Sequence, residues 1–284
     1  MGFRGKYYLQ GNTLLEVSEV VFNKIHSAIN VYEVIRIIEG KPLFLEKHCD
    51  RLHQSAKHIN VNYKCDCDEM FGKIRTLVLN NNIVNGNIKI VLQYPGSGDS
   101  RFMFFIPHNY PKPEDFVQGI EMLSLIAERS QPNAKISNPS LRGRANQIIK
   151  ETGAAEILLV DNKGFITEGS RSNIFLVRNN SIFTPTLDQV LPGVTRAMAI
   201  EICKQSGIDL IETNIKYSGL KTFQGAFITG TSPNILPVRK IDDLYFDVAM
   251  PLVRKIMAGY EKLILEYLVG LDKIYGCGFR VDCT

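Results

Sequence analysis

Residues 156–196 read EILLVDNKGFITEGSRSNIFLVRNNSIFTPTLDQVLPGVTR, and this stretch organises the reading of the whole chain. It consists of short apolar runs separated by turn chemistry. Glu156–Asp161 reads as a buried strand, Asn162-Lys163-Gly164 as a tight turn, and Phe165–Glu168 as a return to extended backbone. Ile174–Val177 and Ser181–Thr184 pair as a hairpin across Arg178-Asn179-Asn180, and Leu191-Pro192-Gly193 opens a helix. Two features look chemical. Glu168 precedes Gly169 and the polar run Ser170-Arg171-Ser172-Asn173, and Gly193-Val194-Thr195 stands where a helix N-terminus offers unpaired N–H groups to an anion. A carboxylate and an anion site joined by a hairpin suit a cationic, phosphorylated cofactor.

The 284 residues suffice for one large domain or two smaller ones. Their 45% apolar and 22% charged content is that of an ordinary soluble globular protein. A net charge of +4 without a Lys/Arg run or basic–aromatic patch argues against nucleic acid as a partner. No apolar run approaches the ~20 residues of a membrane span, and MGFRGKYYLQGN lacks a signal-peptide core, so the expectation is a cytoplasmic protein with no membrane partner. Lys6 stands where a myristoylation start would need Ser or Thr. Of the cysteines 49, 65, 67, 203, 277 and 283, only Cys65-Asp66-Cys67 is close-spaced, which reads as reduced thiols and no metal.

Upstream, Tyr7–Leu9 and Asn30–Ile38 read as strands, the second turning at Glu39-Gly40-Lys41-Pro42. Leu45–Ile59 places apolar residues at 45, 52, 56 and 59 on one helical face, and Asp68–Asn80 forms a second helix. Ile88–Gln93 and Phe102–Ile106 are strands around Pro95-Gly96-Ser97-Gly98-Asp99, which lacks the Lys and the helix of a phosphate loop. A loop at Pro107–Pro113 leads to an apolar strand at Gly119–Ala127, then to the polar, proline-bearing Glu128–Ala134. A helix at Leu141–Glu151 precedes the opening stretch. After it come a helix from about Thr195 to Ser206 with Met198, Ile202 and Cys203 on one side, a strand at Ala226–Thr229, a helix at Pro251–Leu268 and a frayed Gly/Cys tail. The expected class is α+β (mixed α/β) in two domains, 1–122 and 123–284, with a linker over 123–133 and the ligand between them.

Six motifs follow one another in register: Val31-Tyr32-Glu33-Val34-Ile35-Arg36, His48-x-Asp50-Arg51-Leu52-x-x-Ser55-Ala56, Lys135-x-x-Asn138, Thr167-Glu168-Gly169-Ser170-x-Ser172-Asn173, Leu191-Pro192-Gly193-Val194-Thr195-Arg196 and Thr229-Gly230-Thr231-Ser232. Together they closely resemble the fold type IV (class IV) pyridoxal-phosphate enzymes over about residues 30–260, a family of branched-chain aminotransferases, D-amino acid aminotransferases and aminodeoxychorismate lyases. The resemblance implies a two-domain fold with the active site between the domains, a homodimer, and pyridoxal 5′-phosphate as cofactor. Lys135 is then the amine that holds the cofactor aldehyde and moves the proton at Cα. Glu168 pairs with the pyridine nitrogen, and Asn173, with Ser172 beside it, steadies the ring. Arg51, Gly193 with the amides of Val194 and Thr195, and the Thr231 hydroxyl form the phosphate cup. The Thr231-Ser232 amides take the substrate carboxylate.

Departures from the family concern the substrate. Lys24–Asn30 reads KIHSAIN where relatives carry a glycine-rich loop, Asn87 and Lys89 replace an aromatic–Arg pair, and Pro139 replaces a tyrosine. Tyr94–Arg101 lacks the Arg-x-His pair of the D-amino acid enzymes. Tyr32, Arg36 and Lys89 are therefore the substrate-pocket candidates. The expected activity is transamination between a branched-chain or apolar L-amino acid and a 2-oxo acid, with glutamate/2-oxoglutarate as partner pair. A lyase releasing pyruvate from aminodeoxychorismate, a D-amino acid aminotransferase, and a cofactor-free binding protein on the same fold are the alternatives.

Overall fold

The computed structural model describes residues 2–18, 25, 29–94 and 100–275. Lys24 and residues 26–28 of the KIHSAIN segment, the Pro95–Asp99 loop, and the tail with Cys277 and Cys283 lie outside them. The chain divides into two compact units. Unit 1 comprises the described residues within Met1–Asn109, Ala134–Ser137 and Ile264–Thr284, and unit 2 comprises Tyr110–Asn133 and Asn138–Leu263.

Unit 1 is built on a six-stranded sheet of β1 (Tyr7–Gln10), β2 (Thr13–Glu16), β3 (Ile29–Ile38), β4 (Lys41–Pro42), β5 (Gly86–Tyr94) and β6 (Arg101–Ile106), ordered β2-β1-β6-β5-β3-β4. Positive φ at Glu39 (51°) and Gly40 (80°) closes the two-residue turn that pairs Ile38 with Lys41. One sheet face is apolar and carries α1 (Leu45–His58) and α2 (Cys67–Asn81). Leu45, Cys49, Leu52 and Ala56 of α1 meet Ile35, Ile37, Ile88 and Ile90, the spacing of one helical face against the period-2 alternation of strands. Ile59 lies just past the end of α1 and packs there only partly buried. Asp66 caps α2 by accepting from Glu69 N–H at 3.0 Å, and Asn82 ends it in the left-handed region.

Unit 2 is a ten-stranded sheet. Its strands are β7 (Ile120–Ile126), β8 (Glu156–Val160), β9 (Phe165–Gly169), β10 (Asn173–Arg178), β11 (Ser181–Thr184), β12 (Asp209–Glu212), β13 (Ile215–Lys216), β14 (Gly225–Gly230), β15 (Asn234–Ile241) and β16 (Leu244–Tyr245). The order is β12-β11-β10-β14-β15-β7-β8-β9-β13, with β16 on β15. Both faces of its centre are covered, so β8 is buried at every residue. On one side Leu141, Ala145, Ile148 and Ile149 of α4 (Pro139–Thr152) meet Leu123, Leu125, Ile157 and Leu159. On the other, Met122, Leu158, Ile174, Leu176, Leu236 and Val238 form a second core. Phe175 and Phe227 stack at 4.8 Å between centroids, an offset worth about 0.5–1.5 kcal/mol beyond burial.

Several elements differ from expectation. The units do not begin and end at 1–122 and 123–284, because β7 hydrogen-bonds to β8 and β15 and so lies inside unit 2. Residues 134–137 rejoin unit 1 as an added edge on β3, with Tyr32 N–H donating to the Lys135 carbonyl at 3.0 Å and Ser137 N–H to that of Asn30 at 2.8 Å. A short helix, α3 (Pro113–Gln118), follows the Pro107–Pro113 loop. Pro113 starts it without needing an N–H, and the Asp115 carboxylate accepts from Lys112 N–H at 2.7 Å. On α5 (Val194–Gln205) Ala199, Ile202 and Cys203 are buried, while Met198 is only half-buried. The final helix, α6 (Pro251–Tyr275), runs past Leu268 because Tyr267, Leu271 and Tyr275 still pack on unit 1. No helix of the described residues is long and apolar enough to cross a membrane.

Candidate active site

In unit 1 the site grows from one buried carboxylate. Glu33 alternates onto the α1 face of β3 and is fully buried. Arg51, one of the residues facing the sheet from α1, forks onto it: Nε donates to Oε1 and Nη2 to Oε2, both at 2.7 Å. His48, one turn earlier, places Nδ1 2.8 Å from Oε2. A carboxylate only accepts, so Nδ1 carries the proton, and the 3.4 Å approach of Arg51 Nη2 to that nitrogen is a contact between donors. Burial opposes ionisation of Glu33, but the Arg51 and Lys135 charges, with the Arg51 and His48 hydrogen bonds, outweigh it and hold the carboxyl well below its ordinary range. Burial keeps His48 neutral, lowering its proton affinity despite Glu33.

Lys135 enters through the edge formed by residues 134–137. Its backbone N–H donates to Ser55 Oγ of α1 at 3.1 Å. Its Nζ stands 5.4 Å from the centre of the Tyr32 ring, and Lys89 Nζ stands 5.0 Å from the same ring. Tyr32, Lys89 and Arg36 share the sheet face opposite α1 through the pairs Tyr32↔Val91, Val34↔Lys89 and Arg36↔Asn87. The structure thus gathers Lys135, Tyr32 and Lys89. Arg36 lies four residues farther along β3, roughly 13 Å away, on the side of His108, whose proton affinity is lowered by burial first and then by the Arg4 and Arg36 charges.

In unit 2, Glu168 ends β9 and is 2% exposed. Its Oε2 accepts from Leu191 N–H at 3.0 Å and faces Asn173 Nδ2 at 3.4 Å, while Oε1 lies 3.0 Å from Arg129 Nε as an ionic contact. Asn173 Nδ2 also donates to the Leu191 carbonyl at 2.9 Å. Asn173 thereby ties Glu168 to the Leu191-Pro192-Gly193 turn that opens α5. Gly193 is needed there, because a Cβ would sit 2.1 Å from Asn173 Oδ1. No side chain among the described residues caps α5, so the amides of Val194 and Thr195 head an uncapped helix N-terminus. The pair Asn173↔Thr229 brings this loop beside the turn that carries Thr231 and Ser232 between β14 and β15. Ser172 turns elsewhere: its hydroxyl donates to Glu156 at 3.1 Å.

Sequence reasoning missed four residues. Glu33 and His48 stand inside quoted motifs, but only the tertiary pairing of β3 with α1 shows them holding Arg51. Arg129 sits in the polar stretch taken for a linker. Glu156 is a buried carboxylate that accepts from Ile157 N–H, Ser170 Oγ, Arg171 N–H and Ser172 Oγ at 2.6–3.1 Å, and so fixes the loop after Glu168. A glutamate opening a run of apolar strand residues is the one signal that could have exposed it.

The donor set fits pyridoxal phosphate. Each unit offers charged donors: buried Arg51 and half-buried Lys135 in unit 1, and buried Glu168 with the uncapped α5 in unit 2. The buried Thr229 hydroxyl has no hydrogen-bond partner among the described residues and shares the sheet position of Asn173, so a polar group of a ligand would satisfy it.

The buried Glu33–His48 pair gives this site a pH signature. His48 has its proton affinity lowered from 6.5, so its contribution to stability is present above that value and lost as pH falls below it. Glu33, lowered from 4.5, adds stability that is present above 4.5 and lost in a second, more acidic step. Urea unfolding of the wild type is expected to weaken between about pH 7.5 and 5.5 more steeply than that of His48→Gln. Identical slopes for the two proteins would refute the assignment.

The comparisons with known proteins agree. The family model for amino-transferase class IV matches residues 30–241. A Methanocaldococcus jannaschii protein, provisionally named a branched-chain-amino-acid aminotransferase, is 31% identical over 84% of this chain and 88% of its own length. The Escherichia coli branched-chain amino acid aminotransferase superposes with a TM-score of 0.80 at 24% identity, covering 92% of this chain and 95% of that one. A provisionally named 4-amino-4-deoxychorismate lyase from Legionella pneumophila superposes with a TM-score of 0.76 at 21% identity, covering 89% and 97%. These two likenesses are of fold.

Proposed function

Because this chain belongs to the amino-transferase class IV family, we propose that it is a pyridoxal-phosphate aminotransferase. In this reading it exchanges an amino group between a branched-chain or similarly apolar L-amino acid and a 2-oxo acid, with glutamate and 2-oxoglutarate as the second pair. The observation that carries the reading is the Lys135 amine beside Tyr32, with the buried Glu33–Arg51 pair on the other face of the same strand.

Bound pyridoxal phosphate supplies an electron sink that acidifies the Cα–H bond of an amino acid. The chain's residues do the rest. Lys135 Nζ would hold the cofactor and would be the base that moves the substrate Cα proton. Glu168, oriented by Leu191 N–H and Asn173, keeps the proton on the pyridine nitrogen. Arg51, its charge balanced and its plane fixed by Glu33, would offer unit 1's hold on a phosphate, and the Val194 and Thr195 amides, which Gly193 leaves accessible, with the Thr231 hydroxyl, would offer unit 2's. Ser172 contributes by anchoring the loop to Glu156. The Thr231-Ser232 turn takes the substrate carboxylate.

The substrate class is supported by the face that Tyr32 shares. Lys89, 7% exposed, stands beside the Tyr32 ring as a cation that would meet the second carboxylate of glutamate, and the apolar side chain of the other substrate is taken from the family resemblance. On family resemblance the proposal extends to a homodimer working in the cytoplasm.

A panel of L-leucine, D-alanine and aminodeoxychorismate tests the reading, each of the first two with 2-oxoglutarate. Glutamate is expected from L-leucine and not from D-alanine. Pyruvate from aminodeoxychorismate without any amino acceptor would replace transamination by lyase chemistry.

A further inference from the structure

The polar stretch that follows β7 is pinned within unit 2 on both sides of Arg129. Before it, Ala127 N–H donates to the Val160 carbonyl at 2.9 Å, and the Glu128 carboxylate accepts from Asn162 N–H at 2.7 Å. After it, Asn133 Nδ2 donates to the Leu187 carbonyl at 2.6 Å and to that of Val190 at 3.1 Å. An arginine in a polar loop ordinarily keeps its head group in water. Arg129 instead sets Nε 3.0 Å from Glu168 Oε1, with both atoms shut away from water. Its Nη2 donates to the Ser170 carbonyl at 3.4 Å. Ser170 is itself held, because its hydroxyl donates to the buried Glu156 at 2.6 Å. The guanidinium is therefore fixed by its own backbone and by the loop it meets.

We propose that Arg129 is a positioning residue for amino transfer, which keeps Glu168 ionised and fixed in orientation so that the proton shared with the pyridine ring stays on the ring nitrogen. This rests on the pyridoxal-phosphate reading of the site. A buried carboxyl without a counter-charge prefers its neutral form, and a neutral carboxyl leaves the ring nitrogen without a proton. Leu191 N–H and Asn173 Nδ2 are neutral donors that orient Glu168 without supplying charge. Arg129 adds the charge. An opposite charge at this range favours an ionised carboxyl by about tenfold to a thousandfold. The same preference holds the negative charge on Glu168 and the proton on the nitrogen, which is the form of the ring that draws electrons from the substrate.

The test uses the full-length protein loaded with pyridoxal phosphate that is isotopically labelled at the ring nitrogen, read by nuclear magnetic resonance. The wild type should give the signal of a protonated ring. In Arg129→Met that signal should move toward the unprotonated ring. Cofactor Kd should rise, and kcat should fall with KM near that of the wild type, each by about 10–100-fold for Kd and kcat, the range seen when a group that orients a ligand-holding side chain is removed. Arg129→Lys keeps the charge and should return the ring signal and most of the affinity. Arg239→Met, which removes the exposed Arg239–Glu121 pair, should change none of these.

An unprotonated ring in the wild type would overturn the proposal without any variant. So would the wild-type ring signal in Arg129→Met, or equal losses in Arg129→Lys and Arg129→Met, which mark packing rather than charge. A wild type that takes up no pyridoxal phosphate would instead overturn the cofactor reading, and the proposal with it.

Discussion

Lys135→Ala is expected to lose the yellow absorbance of bound pyridoxal and at least about three orders of magnitude in transamination rate. Two functions vanish with one amine, and positioned proton transfer alone contributes about 10²–10⁴-fold. The backbone at 135 is held independently of the side chain, by Ser55 Oγ and Tyr32 N–H. Folding should therefore survive, and thermal unfolding of the cofactor-free variant should match the wild type. The rate loss should appear in kcat, because the residues assigned to the substrate remain. A variant that kept both colour and turnover would place the amine elsewhere in the chain.

The second large effect concerns stability. Glu33→Ala removes the acceptor of two Arg51 hydrogen bonds and of His48 Nδ1–H, leaving a guanidinium and an imidazole buried without their carboxylate. Breaking a buried pair by deleting one member costs about 3–5 kcal/mol, since the remaining charge stays desolvated. Urea unfolding without cofactor should show that loss, free of the stabilisation that ligand binding adds. Replacing both partners, as in Glu33→Leu with Arg51→Met, should recover most of it, because the buried charge is gone along with its counter-charge. In that double variant cofactor affinity should remain low, which separates the stabilising role of the pair from the phosphate-binding role of Arg51. A loss below about 1 kcal/mol in Glu33→Ala would mean that water reaches the pair.

Much of this molecule can be read along the chain. The Asn162-Lys163-Gly164 turn, the hairpin across Asn179, the opening of α5 at Gly193 and the apolar face of α1 all follow from local rules, since φ preference, missing donors and side-chain period act over a few residues. The ordered motifs likewise name Arg51, Lys135, Glu168 and the Thr231-Ser232 turn. What cannot be read there is which distant groups meet. Glu33 finds Arg51 and His48 only when β3 packs under α1, and Arg129 reaches Glu168 across 39 positions of sequence. Glu156 fixes Ser170 and Ser172 only because β9 returns beside β8. Residues 134–137, expected just past the linker in the second domain, form an edge of β3 instead, which sets Lys135 over Tyr32. The sequence by itself determined the elements, the family and the residue types for the cofactor. The tertiary structure decided how the charges are compensated, because a buried charge takes its partner from whatever packs against it, however far away in the chain.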